Sequence, residues 1–119
     1  MANDIYRVAV ASSDGIVVNS HFGRAGKFYI YQISEEEELK LIEERKVVPV
    51  CEGGNHNDEK LNENLNRLKD CDFILASRIG DGAAFAASKK GIEGFEIPGI
   101  IEESILQLLK YIKLKKLFE

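Results

Sequence analysis

The amino-acid sequence predicts an α/β domain, a mixed sheet of about five strands with helices on both faces. Three observations lead there. The N-terminal half carries three β-prone runs, the C-terminal half alternates helical with strand-like segments, and turn formers stand at most junctions.

Arg7 to Ala11 reads as the first strand, with Val8 and Val10 alternating, and Ser12-Ser13-Asp14-Gly15 ends it. Ile16 to Ser20 leads into His21-Phe22-Gly23-Arg24-Ala25-Gly26, a segment too glycine-rich for a regular element. Lys27 to Ile33 is β-branched, aromatic and alternating, a second strand. Glu35 to Glu38 makes a charged turn, and Leu39 to Val48 a third strand, hairpin-paired to the second. Pro49 to Asn57 is a loop by composition. Asp58 caps a helix from Glu59 to about Lys69, with Leu61, Leu65 and Leu68 at helical spacing. Asp72 to Ser77 is nearly all apolar, as in a buried central strand. Gly80-Asp81-Gly82 opens a helix that runs through Lys90, and Gly91 ends it. Ile92 to Ile97 forms a further strand, and Pro98-Gly99 breaks the chain. The last helix, Ile101 to about Lys115, is apolar at Ile101, Ile105, Leu108, Leu109 and Ile112. An antiparallel meander followed by right-handed βαβ crossovers gives a three-layer layout that matches the ribonuclease H-like arrangement.

A length of 119 residues fits one domain, 1–119, and 45% hydrophobic content supports a buried core. The net charge of −4, with Glu35 to Glu38 as the main single-sign run, argues against a duplex nucleic-acid partner. No apolar stretch approaches the roughly 20 residues of a membrane span. The start, Met1-Ala2-Asn3-Asp4, lacks the basic and apolar regions of a signal peptide, so the protein is expected in the cytoplasm with reduced thiols.

Catalytic signatures are sparse. A two-metal nuclease needs converging carboxylates, yet the first strand has no acid, and Asp70 and Asp72 only flank a buried strand. No GxSxG elbow, Walker A loop or spaced CxxC pair occurs. The two histidines say more. His21 sits in a loop that Phe22 can anchor, while Gly23 permits positive φ or close backbone approach. Such an imidazole either ligates a transition metal or hydrogen-bonds a neighbouring loop. His56 follows Cys51 in a second glycine-rich loop, a Cys-x4-His spacing that is no recognised zinc signature. Cys51 offers a thiolate, whereas Cys71 borders the apolar strand and reads as packed. Arg24, Lys27 and Arg78 are candidate anion partners, and the helix opening at Gly80 and Gly82 presents free N–H groups. Asp81 cuts against an anion there, since its carboxylate would cap the helix itself.

These residues fall in a pattern. Val8-Ala9-Val10-Ala11-Ser12, Asp14-Gly15, Ser20-His21-Phe22-Gly23-Arg24-Ala25 and Phe28-Tyr29-Ile30-Tyr31 resemble the dinitrogenase iron–molybdenum cofactor biosynthesis family. This is the domain type of NifX and of the C-terminal part of NifB. The likeness resumes at Asp70-Cys71-Asp72, Ala76-Ser77-Arg78-Ile79-Gly80, Gly82-Ala83-Ala84, Lys90-Gly91-Ile92 and Ile101-Glu102-Glu103-Ser104, covering nearly the whole chain. The H-F-G-R-A segment is its most specific piece. The resemblance implies a ribonuclease H-like fold that binds iron–sulfur or iron–molybdenum cofactor precursors. It implies His21 as a first ligand, with Arg24 and the Arg78-to-Gly82 turn as pocket walls. Asp81 departs from the small residue or proline common in relatives, and Cys51 and His56 lie in a loop variable across the family. A CxxxCxxC radical-SAM motif is absent. The expectation is a non-enzymatic carrier of a metal–sulfur cluster, with cofactor-assembly proteins as partners. The alternative is a metal-free scaffold or regulatory module using the apolar residues between Leu108 and Phe118.

Overall fold

The computed structural model describes residues 4–49 and 58–118. Strand β1 (Ile5–Ala11) is followed by a two-residue strand β2 (Val17–Val18), a single 3-10 turn (Phe22–Arg24), and the hairpin of β3 (Lys27–Ser34) with β4 (Leu39–Lys46). After α1 (Asp58–Arg67) come β5 (Phe73–Ala76), α2 (Asp81–Lys89), β6 (Glu93–Glu96), β7 (Gly99–Ile100) and α3 (Ile101–Leu117). Five strands form one sheet in the order β4-β3-β1-β5-β6. The β3/β4 and β1/β3 pairs are antiparallel, and β1/β5 and β5/β6 are parallel, so the sheet is mixed.

Alternation along the central strands sorts two cores. Ala9 and Ala11 of β1, Phe28 and Ile30 of β3, and Ile74 of β5 pack with Leu61, Leu65 and Leu68 and with Ala83 and Ala87 of α2. The small alanines on this face let helices approach the sheet closely. Val8, Val10, Tyr29, Ile33 and Leu75 face the other way, against Ile101, Ile105, Leu108, Leu109 and Ile112 of α3. Each large side chain buried here contributes about 1.5–3 kcal/mol. The predicted α/β class and the layers on both faces follow directly from this periodicity.

Several local features differ from the sequence reading. The segment around His21 holds one regular turn, because Arg24 N–H and Ala25 N–H reach back to the carbonyls of His21 and Phe22. Gly23 lies inside that turn, and among the described glycines positive φ falls instead on Gly15, Gly91 and Gly99. Gly91 thus ends α2 as predicted. Strands β2 and β7 pair with each other, Val17 with Ile100 and Val18 with Gly99, forming a second small sheet next to Pro98. Strand β4 stops at Lys46 rather than Val48, and α1 at Arg67 rather than Lys69. No described helix is long and apolar enough to cross a membrane.

Candidate functional site

The site begins where the parallel strands run out. Beyond Ala11 the chain loops and returns, and Ser20 N–H donates to the Ala11 carbonyl at 3.3 Å. Ser77 N–H then donates to the Ser20 carbonyl at 3.0 Å, and Phe22 N–H to the Arg78 carbonyl at 2.8 Å. These two bonds make a parallel bridge between His21 and Arg78, one extra rung past the end of β5. Phe22 is 2% exposed, and its ring lies 5.6 Å from that of Phe28, centroid to centroid. A buried aromatic on one side and a backbone rung on the other therefore fix the stem of His21. Its side chain is exposed and makes no hydrogen bond or ion pair among the described residues.

The loop before it is braced by its own polar groups. Asp14 Oδ1 accepts N–H bonds from Ile16 at 2.8 Å and Val17 at 3.1 Å, and Ser12 Oγ donates to the same oxygen. The Ile16 and Val17 amides hold the Asp14 carboxyl below the usual range. Asn19 Oδ1 accepts from Ser13 N–H at 3.0 Å and clamps the two ends of the loop.

On the other side of the bridge, Arg78 is exposed, and Ile79 N–H is fixed by Glu96 Oε2 at 2.8 Å. Helix α2 then opens with Gly80 as N-cap and no side-chain cap. The expectation that Asp81 caps the helix is thus corrected: it sits in the first turn, where its charge complements the dipole without bonding the end. The N–H groups of Asp81, Gly82 and Ala83 have no protein partner among the described residues. A Cβ at Gly80 or Gly82 would meet nothing within 4 Å, so packing does not demand glycine at either position. Beside the bridge, Ser77 Oγ is buried without a hydrogen-bond partner.

Cys51 and His56 lie outside the described residues. Cys71 is 4% exposed and burial pushes its thiol up to about 12, which makes it a packed side chain. Asp70 and Asp72 are committed elsewhere. Asp72 Oδ2 accepts Arg7 N–H at 2.9 Å, while Asp70 pairs with Arg45 at 2.8 Å and Arg7 at 3.0 Å. Among the described residues, no three His, Cys, Asp or Glu side chains gather where they could hold a metal ion.

Arg24 lines a surface cleft of about 510 Å³ with Ser12, Ser13, Ser20, Lys27 and Lys46, and neither His21 nor Arg78 is part of its wall. The sequence reading found Arg24 and Lys27 but missed Lys46 and the serines, which only the strand register brings in. At the far end of α3, Leu117 and Phe118 are exposed, as is Leu114 one turn earlier.

The sequence profile of the family described as dinitrogenase iron-molybdenum cofactor matches residues 4–111. Over 108 residues the chain is 36% identical to the FeMo cofactor biosynthesis protein NifB of Frankia alni, covering 88% of the chain and 21% of that protein. It is 30% identical over 112 residues to NifB of Chlorobaculum tepidum, covering 94% of the chain and 26% of that protein. The chain thus spans about a fifth to a quarter of the length of these curated relatives. The crystal structure of the protein PH0822 superposes with a TM-score of 0.62 at 28% identity, over 87% of this chain and 90% of that one.

Proposed function

This chain belongs to the dinitrogenase iron-molybdenum cofactor family, and from that premise we propose that it binds a preassembled metal–sulfur cofactor or its precursor and hands it on without catalysing a reaction itself. The observation that supports this is the exposed, unpartnered imidazole of His21 on its backbone-anchored stem. A preassembled cluster brings its own bridging sulfides and needs few protein donors, so one well-held imidazole suits that cargo. Arg78, joined to His21 by the bridge, and the open amides of α2 suit the negative charge of such a cluster. Its partners in this reading are the assembly proteins that deliver and receive the cargo. We read the layout as ribonuclease H-like, a reading supported by the strand order β4-β3-β1-β5-β6, in which β3 alone runs antiparallel to the other four strands.

Anaerobic titration with a synthetic iron–sulfur or iron–molybdenum–sulfur cluster, followed by visible absorption and electron paramagnetic resonance, tests it. Wild type is expected to bind and perturb the cluster spectrum, and His21→Ala to bind at least tenfold more weakly. Equal affinity and identical spectra in both proteins would remove His21 from the site.

A further inference from the structure

We propose that the cleft walled by Arg24, Lys27 and Lys46 is a separate binding site for a small organic polyanion, recognised through its carboxylate or phosphate oxygens. Lys27 and Lys46 are directly opposed in the β3/β4 register. Like charges opposed in this way destabilise an antiparallel pair. Among the described residues, neither Lys46 nor Arg24 has an ion pair or side-chain hydrogen bond to relieve this. Among the described residues, the one carboxylate on the cleft wall is Glu44, 3.5 Å from Lys27. Three cations thus face a single carboxylate on a molecule whose net charge is −4. Positive charge is concentrated here against the overall balance, which is what an anion site requires.

The walls are set in place. Lys27 Nζ lies over the Tyr29 ring, 5.3 Å from its centroid, and the Gly15 backbone packs so closely on that ring that a Cβ would stand 3.0 Å from Cζ. Ser13 Oγ accepts from Asn19 Nδ2 at 3.0 Å, which leaves its own proton free to donate. A cleft of about 510 Å³ has the size of a small-molecule site and exceeds what one tetrahedral oxyanion fills. With three cations spread across it, a ligand carrying two or more anionic groups matches it best. Since His21 is not on the wall, this site stands or falls independently of cluster binding.

The test uses the metal-free full chain, with pyrophosphate and citrate as probes and sodium chloride at equal ionic strength as the baseline, read by calorimetric titration and thermal unfolding. At least one probe is expected to bind saturably and raise the unfolding temperature. Pyrophosphate alone would identify a phosphate ligand, and citrate alone a carboxylate. Lys46→Gln is expected to make the free protein more stable, by relieving the opposed charges, while weakening probe binding about tenfold. Arg24→Gln should weaken binding similarly, Glu44→Gln should tighten it, and His21→Ala should leave it unchanged. Failure of both probes to exceed the chloride baseline would overturn the proposal, as would binding that is indifferent to Lys46→Gln and Arg24→Gln.

Discussion

At Gly15 the backbone adopts φ +76°, and the ring of Tyr29 occupies the space a side chain would need. Gly15→Ala therefore meets two penalties at once, a left-handed backbone and a steric contact with an aromatic ring. A loss of about 1–2 kcal/mol is expected from urea unfolding, and an unchanged midpoint would show that the loop yields at no cost. The sequence read this residue only as a turn former and assigned the conformational role to Gly23. Local composition flags glycine, but which glycine bears positive φ depends on what packs against it, here a ring contributed by β3. The exposed placement of His21 was legible for the opposite reason: an anchoring Phe22 and a turn are both short-range features. That Arg78 stands beside it was not, because the bridge joins residues far apart in the chain.

Between elements, one shared polar tie is Asp70, which joins the α1–β5 turn to β4 through Arg45 and to β1 through Arg7. Chiefly because of Arg45, its carboxyl is lowered from 3.8 to about 2. The unfolded chain therefore binds the proton first, so the stabilisation is complete above pH ~4 and lost as the pH falls through about 2. The side chain is 41% exposed, and after solvent screening the tie is worth only about 1 kcal/mol. Thermal unfolding of wild type and Asp70→Asn should show a gap near pH 6 that closes toward pH 2; a gap constant over that range would contradict the assignment. The β3/β4 hairpin shows where sequence reasoning stops. Counting from Ile33 opposite Leu39, a regular ladder would set Arg45 opposite Lys27 and turn Lys46 to the other face. The shift between Ile30 and Tyr31 adds one residue on β4 and brings Lys46 opposite Lys27. Nothing in the composition of β4 announces that bulge. Strands β2 and β7 were equally hidden, since a two-residue strand carries no periodicity.

For the molecule as a whole, the stacking of layers was readable because strand and helix periods are strong and each covers several residues. Among the described helices only α3 covers the Val8 and Val10 face of the sheet, and Leu108 is fully buried in the contact. Leu108→Ala is expected to lower stability by about 2–5 kcal/mol, seen as a lower urea midpoint with an unchanged slope. A smaller loss would mean that the helix resettles into the gap. The rung that holds His21 against Arg78 has a different dependence, being built of amide hydrogens and carbonyl oxygens only. Among exchanges at Ser20, His21, Phe22, Ser77 and Arg78, only proline at Phe22 or Ser77 takes away a hydrogen that those bonds need. Outward-facing chemistry at this corner can thus be retooled over evolutionary time, one residue after another, while the frame that displays it stays shut.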